Sequence, residues 1–199
     1  MTTTPRDLLI VAMDVAGTRD VGPGDLSLAL AGAELIELLK TPTIRLDAGR
    51  IVPGHLPLPA DPLLVEAAAV LMMDEPYELV GDWLWRRGDS LAEAYMAAFE
   101  ADGLVVRQGS RPFRGGRRVL VDTPSRRRAM ERWESGEPVL RSLAESLGIQ
   151  HGGAEPSEIE DYAVAMVLGA VNDALLELEG ERQKRGIEQA AFDNVWRGF

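Results

Sequence analysis

Apolar residues recur at helical spacing in several segments of the chain, and Gly- and Pro-rich loops separate these segments. The segment LSLALAGAELIELLK, residues 26–40, is apolar on nearly every face, a pattern typical of a helix buried on most sides. Asp25 stands immediately before it and is predicted to be its N-cap. Residues 161–180, DYAVAMVLGAVNDALLELEG, predict a second mostly apolar helix, and a separate polar helix is predicted over residues 181–196.

Shorter helices are indicated by residues that favour helix ends, such as Asp or Thr followed by Pro at a start and Gly at a stop. Four are predicted in this way: from Asp61-Pro62 to residue 73, from Asp89 or Ser90 to Gly103, from Thr123-Pro124 to about Trp133, and over residues 137–148 up to Gly148.

Two short pairs of β-type runs complete the pattern. In TPTIRLDAGRIVP, residues 41–53, the turn signal Asp47-Ala48-Gly49 predicts a small hairpin. In VVRQGSRPFRGGRRVLV, residues 105–121, a Gly- and Pro-containing loop predicts a hairpin with a long tip. The expected fold is therefore mainly α: a helical bundle around buried central helices, with small β-hairpins. We expect residues 1–199 to form a single domain, with an appended helical hairpin as the alternative.

Composition narrows the functional classes. Hydrophobic residues make up 46% of the chain and charged residues 27%, as in soluble globular proteins. The absence of cysteine excludes disulfides, thiolate nucleophiles and sulfur metal ligands. No run of 18 apolar residues occurs, and Asp7 and Asp14 interrupt the first apolar stretch too early for a signal peptide. These features predict a cytoplasmic protein.

Charge is unevenly distributed along the chain. The formal net charge is −11, but residues 104–132 contain 9 basic and 2 acidic residues and have a net charge of +7. Residues 1–103 have a net charge of −10 and residues 133–199 one of −8. An acidic majority repels phosphates, so we expect no nucleic-acid partner. The sequence leaves open whether a local anionic partner binds residues 104–132.

The sequence contains no recognisable catalytic or metal-binding motif. His55 and His151 lie in separate Gly- and Pro-rich loops with no adjacent nucleophile, and we expect both to be exposed. Asp14, Asp20 and Asp25 do not have the spacing of an EF-hand loop. We therefore expect no catalytic residues, no metal site and no cofactor, and the protein is predicted not to be an enzyme.

Long sequence patterns, rather than one short motif, run through residues 7–141. They comprise DLLIVAMD, GDLSLALAGAELIELL, IRLDAGRIVP and ADPLLVEAAAVL, followed by LAEAYMAAFEADGLV, a hairpin and VDTPSRRRAMERW. This order of segments resembles the bacterial members of the Golgi phosphoprotein 3-like family. The resemblance implies a mainly α-helical domain around a buried helix bundle. It also implies eukaryotic relatives that are peripheral membrane proteins, bind phosphatidylinositol 4-phosphate and recruit glycosyltransferase tails.

The resemblance further implies a lipid pocket with a Trp before the first buried helix, an Arg within that helix and two Arg before the later helix. The corresponding positions here are occupied by residues that cannot donate a charge-assisted hydrogen bond to phosphate: Gly22, Ala31, Asp89 and Ala92. A substitute cluster is suggested by four neighbouring residues: Trp83, Trp85, Arg86 and Arg87. The alternative is that this WLWRR segment only docks a helix end.

Two groups of arginines account for the positive charge of residues 104–132. Arg126, Arg127 and Arg128 fall in the first turn of a predicted helix, where the helix dipole disfavours each cation by about 0.3–1 kcal/mol. An ion pair between Arg127 and Glu131 would recover only about 0.3–0.5 kcal/mol. The predicted hairpin carries the other group around one aromatic residue: Arg107, Arg111, Phe113, Arg114, Arg117 and Arg118. Gly and Pro already supply the turn chemistry, so we attribute these cations to something that the tip contacts.

Three interpretations of this cationic segment follow. It faces an anionic membrane, at which each Arg contributes about 1 kcal/mol and Phe113 adds interfacial burial. It docks into an acidic face of a client protein or of another copy, which would make a homo-oligomer through residues 105–121. Or its arginines are simply solvated. Our functional hypothesis is the first: a peripheral adaptor on the inner face of the membrane that binds anionic, phosphoinositide-like lipid headgroups. A soluble oligomeric protein-interaction scaffold is the alternative, and the sequence names no client protein.

Overall fold

The structure is a computed structural model that describes residues 3–197 apart from 16, 19, 56–58, 109–116 and 154–157. It is mainly helical with two small antiparallel hairpins, as predicted. The helices are α1 (Thr4–Asp14), α2 (Pro23–Leu39), α3 (Pro62–Ala69), α4 (Val80–Arg87), α5 (Leu91–Ala101), α6 (Pro124–Glu134), α7 (Pro138–Ser146) and α8 (Tyr162–Arg197). The strands are β1 (Ile44–Asp47), β2 (Arg50–Pro53), β3 (Val105–Gln108) and β4 (Arg117–Leu120). Within the described residues, no helix combines the length and the apolarity needed to cross a bilayer.

Helix α2 lies at the centre of the fold. Every residue from Leu28 to Ile36 is buried, as the all-round apolar pattern predicts. The helix packs against α1, α4, α5 and α8. Gly32 lies where α2 meets α8, and a Cβ at this position would come within 2.3 Å of Val171 Cγ2. The missing side chain of Gly32 therefore allows the two helices to approach closely.

Several predicted helix ends are confirmed. Asp61 Oδ1 accepts a hydrogen bond from the backbone N–H of Leu63 at 3.0 Å, at the start of α3. The Thr123 hydroxyl accepts one from the backbone N–H of Arg126 at 3.2 Å, at the start of α6. Gly103, just after α5, has a φ of +69°, which suits the left-handed residue that ends many helices.

The prediction that Asp25 caps α2 is wrong. The helix begins at Pro23 with Gly22 as its N-cap, because proline is well suited to the first helical position. Asp25 lies inside the first turn instead, and its carboxylate binds Arg182 of α8 at 2.8 Å. Ser90 does occupy the N-cap position of α5, but it has a φ of +57° and its hydroxyl makes no capping hydrogen bond.

The two helices predicted after residue 160 form one continuous helix, α8. The prediction of a separate closing helix is therefore wrong. Asp161 caps α8 by accepting a hydrogen bond from the backbone N–H of Ala163 at 2.8 Å. Gly180, the last residue of the first of these predicted helices, lies inside α8, where glycine costs only about 1 kcal/mol relative to alanine. A hydrogen bond from Gln183 to Glu179 at 3.1 Å spans this position and favours the helical continuation.

Both predicted hairpins are confirmed as antiparallel strand pairs. Between β1 and β2, Gly49 adopts a φ of +78°. In the second hairpin, Val105 of β3 lies opposite Leu120 of β4, and both are buried. The tip, residues 109–116, lies outside the described residues, and three of the predicted contact residues lie there: Arg111, Phe113 and Arg114.

Candidate functional site

The WLWRR segment, residues 83–87, forms the C-terminal part of α4 and contacts other parts of the protein. Val80, Trp83 and Leu84 form the buried side of this helix. Trp83 is completely buried, and its indole N–H donates a hydrogen bond to the backbone carbonyl of Ala31 at 3.4 Å. Trp85 points away from the core and is 40% exposed. Of these two tryptophans, only Trp85 is accessible to a surface ligand.

The two arginines of the same segment bind buried glutamates. Arg87 donates two hydrogen bonds to Glu34 at 2.7 and 2.9 Å, and the Tyr95 hydroxyl donates a third at 3.0 Å. Complete burial in α2 raises the pKa of Glu34, and these donors oppose that rise. Arg86 binds both carboxylate oxygens of Glu78 at 2.7 Å. Both guanidinium groups neutralise carboxylates of the protein itself, which favours the interpretation that WLWRR docks a helix end.

The four positions at which the resemblance implies lipid contacts lie in or directly before α2 and α5, and these two helices form a groove. This α2–α5 groove, about 570 Å³ in volume, lies at the N-terminal ends of the two helices and includes Asp89 in its lining. Gly22 directly precedes Pro23, another lining residue. Ala31 and Ala92 lie on α2 and α5 and are buried. Of the four positions, Asp89 alone is among the described residues that line the groove.

The chemistry of the α2–α5 groove does not suit a phosphate. Asp89 and Glu93 in its lining are exposed, and either carboxylate would repel an anion. Arg86 also lines the groove, but Glu78 holds its guanidinium. Among the lining residues that the structure describes, no cation is left without a carboxylate partner.

A second candidate region is the basic surface, which we define by the arginines of β3, β4 and the first turn of α6: Arg107, Arg117, Arg118, Arg126, Arg127 and Arg128. Arg107 and Arg118 lie opposite each other across the hairpin and both bind Glu100 of α5, at 3.2 and 2.6 Å. Hydrogen bonds from Arg118 and Arg107 lower the pKa of this carboxyl. One carboxylate between two guanidinium groups leaves a net positive charge at the base of the hairpin.

The arginines of α6 do not pair as predicted. Arg126 binds Asp14 of α1 at 2.6 and 2.9 Å. Arg127 binds Asp122 at 3.0 Å, so the predicted pair with Glu131 is wrong. Asp122 lies just before the N-terminal end of the helix, where the dipole favours an anion, and it neutralises a cation that the same dipole disfavours.

Arg117 and Arg128 differ from the other members of the basic surface. Both are exposed, and neither makes a hydrogen bond or an ion pair with any residue that the structure describes. The sequence identified both residues as basic but did not separate them from the paired arginines. The pairing depends on the fold, because Glu100 lies 18 residues from Arg118 and Asp14 lies 112 residues from Arg126.

Comparison with models of known protein families matches residues 5–191 to Golgi phosphoprotein 3 (GPP34). The chain belongs to the Golgi phosphoprotein 3 family. The match confirms the resemblance found over residues 7–141 and extends it through most of α8. No curated protein matches the chain.

In this member of the Golgi phosphoprotein 3 family, the two histidines differ in environment. His55 is exposed, as expected. His151 is half-buried, with its ring edge-on to Trp133 at a centroid distance of 4.9 Å, so the expectation of an exposed His151 is wrong. Among the described residues, no three or more His, Cys, Asp or Glu side chains converge in a way that could hold a metal ion.

The sequence of this family member does not indicate a set of ion pairs around α1. Arg6 binds Asp61 and Asp102 at 2.5 and 2.9 Å, and Asp7 binds Arg132 at 2.9 Å. These pairs join residues far apart in the chain, so no local spacing indicates them. The signal in the sequence is that two charged residues, Arg6 and Asp7, lie in the first turn of the otherwise apolar helix α1.

Proposed function

We propose that this protein is a peripheral membrane adaptor that binds anionic lipid headgroups through its basic surface and hairpin tip. The supporting observation is an excess of cations. Four of the six arginines on the basic surface share three carboxylates, Asp14, Glu100 and Asp122, and the other two have no partner among the described residues. Arg111, Phe113 and Arg114 of the tip add two cations and an aromatic ring. Each Arg near an anionic bilayer contributes about 1 kcal/mol to binding.

We propose further that binding depends on charge and hardly on headgroup identity. The α2–α5 groove presents Asp89 and Glu93, and Gly22 and Ala31 stand where charge-assisted or aromatic contacts would be needed. Lipids of equal charge should therefore bind about equally well. The adaptor acts by binding alone, as a single domain over residues 1–199, without a catalytic step.

Removing three exposed cations of the basic surface should weaken lipid binding without unfolding the protein. We expect the triple variant Arg117→Ser, Arg118→Ser and Arg128→Ser to bind anionic liposomes about 10²-fold more weakly at low salt, since each arginine contributes about 1 kcal/mol. Its free energy of unfolding should stay within about 1 kcal/mol of the unmodified chain, because exposed ion pairs stabilise little. Liposome sedimentation and denaturant unfolding measure the two quantities.

The matched control removes three exposed cations from elsewhere: Arg45→Ser, Lys184→Ser and Arg185→Ser. The control variant has the same net charge as the first variant. A difference in liposome binding between them therefore reflects the position of the removed cations rather than the total charge. Equal liposome binding by both variants would contradict the proposal. Light scattering should show the same molecular mass for both. A reduced mass in the first variant, with lipid binding retained, would instead support the oligomeric scaffold.

A further inference from the structure

Helix α8 carries large apolar side chains on the face that points away from its own fold. Val167, Val171 and Leu175 recur every four residues and belong to its buried side. Leu176 and Ile187 are 72% and 71% exposed. Ile187 follows Leu176 by about three helical turns, so the two side chains share one face. This outward apolar face is the surface that we consider.

The C-terminal part of α8 extends beyond the rest of the fold. Arg182 is half-buried and binds Asp25 of α2 at 2.8 Å. All of residues 183–189 are exposed, and the helix continues to Arg197. A helical segment of this length is only marginally stable alone in water, because most helical stability in proteins comes from the packing of an apolar face. A partner that covers the outward face would therefore stabilise this segment.

The charge along α8 favours a second copy of the same helix as that partner. Residues 174–181 have a net charge of −3, and residues 182–189 have a net charge of +2. An antiparallel pair of α8 helices sets the acidic stretch of each copy opposite the basic stretch of the other, whereas a parallel pair sets like charge against like charge. The same antiparallel register places Leu176 opposite Ile187 of the second copy.

One ion pair between the copies follows from this register. Glu177 and Lys184 are two turns apart on one flank of the outward face, and both are exposed. Neither makes an ion pair with any residue in the part of the chain that the structure describes. The antiparallel register brings Glu177 within about one helical turn of Lys184 of the second copy, and two-fold symmetry repeats the pair.

We propose that the outward face of α8 pairs antiparallel with α8 of a second copy of this chain, with Leu176 and Ile187 at the centre of the contact. This interface uses neither the hairpin nor the basic surface. One pair of helices buries less area than a standard interface, so we expect a weak dimer that forms at about 10–100 µM. At about 1 µM the chain should be monomeric, so Leu176 and Lys184 are exposed there.

Sedimentation equilibrium of the full chain, from about 1 µM to about 300 µM, tests the proposal. We expect the mass to rise from 21.7 kDa towards twice that value. Ile187→Glu should weaken the dimer about tenfold or more, because it places an unpaired carboxylate in the contact. Met73→Glu is the matched control, since Met73 is also exposed but lies in the loop before α4, and it should leave the mass unchanged. No rise in mass, or an equal loss in the control, would overturn the proposal.

A charge exchange tests the register without any change at the apolar residues. Glu177→Lys and Lys184→Glu should each weaken the dimer about tenfold, because each replaces two attractions with two repulsions. The double variant restores opposite charges at both positions and should recover most of the affinity. A double variant as weak as the single variants would contradict the register.

Cross-linking tests the direction of the two helices. The chain contains no cysteine, so a single introduced cysteine reacts only with its counterpart in the second copy. Gln183→Cys lies close to the expected two-fold axis and should react with a short bismaleimide cross-linker. Asp173→Cys lies about 25 Å along the helix axis from its counterpart and should not react. Equal cross-linking of both variants would contradict the antiparallel pair. A chain that stays monomeric, while Ile187→Glu lowers its pelleting with liposomes, would assign the face to a lipid surface and overturn the proposal.

Discussion

Arg87→Met is expected to lower the free energy of unfolding by about 3–5 kcal/mol at neutral pH. The substitution leaves Glu34 completely buried in α2 without the guanidinium that supplies two of its hydrogen bonds. The remaining donor is the Tyr95 hydroxyl at 3.0 Å. An unpaired buried charge costs more than an intact buried pair gains, so removal of one partner is the damaging change. Denaturant unfolding measures the loss.

Two controls separate the loss of a partner from the loss of an arginine. The double variant Arg87→Met with Glu34→Leu removes both charges and should be more stable than Arg87→Met alone. Arg45→Met removes an arginine whose pair with Asp47 is exposed and 3.6 Å long, and it should cost less than about 1 kcal/mol. A loss in Arg87→Met as small as that in Arg45→Met would show that the pair is not buried as described.

The loss in Arg87→Met should depend on pH. Burial raises the pKa of Glu34 above its ordinary value of 4.5, and removal of Arg87 removes a group that opposes the rise. In the window above pH 4.5 the unfolded chain then releases this proton while the folded chain keeps it, so stability falls as the pH rises. The deficit relative to the unmodified chain should therefore be smaller at pH 4 than at pH 7.

Leu35→Ala is expected to cost about 2–5 kcal/mol of unfolding free energy. Leu35 is fully buried in α2, the helix around which α1, α4, α5 and α8 pack. Truncation leaves a cavity that the surrounding helices cannot fill without moving. Leu176→Ala is the matched control, because Leu176 of α8 is 72% exposed. A loss below about 0.5 kcal/mol in Leu35→Ala, the range of surface changes, would contradict the central position of α2.

The apolar pattern predicted the architecture because burial determines it. Helix α2 is apolar on nearly every face and is buried on most sides, and the turn at Gly49 lies where the Asp-Ala-Gly signal predicts it. The break predicted after Gly180 is absent, because one glycine costs a helix only about 1 kcal/mol and contacts such as that between Gln183 and Glu179 favour its continuation. The sequence predicts elements well where the deciding interaction is local.

The candidate site was predictable only in part, because its electrostatics depend on pairs that the fold brings together. The sequence shows Glu34 inside an apolar helix, which suggests a buried partner, but Arg87 lies 53 residues away. For the same reason the sequence left open whether Arg86 and Arg87 form a lipid-binding cluster or only dock a helix end. The excess of arginines over residues 104–132 was visible from the sequence, whereas the difference between Arg128 and its paired neighbour Arg126 needed the structure.

Sedimentation of the unmodified chain with liposomes tests the central proposal most directly. The liposomes contain increasing fractions of anionic lipid, at two salt concentrations, and one series exchanges phosphatidylinositol 4-phosphate for other lipids at equal total charge. We expect pelleting that requires anionic lipid, weakens at high salt because screening reduces the attraction, and hardly changes between headgroups of equal charge. No pelleting under any condition would contradict membrane binding, and a strong preference for phosphatidylinositol 4-phosphate at equal charge would contradict binding by charge alone.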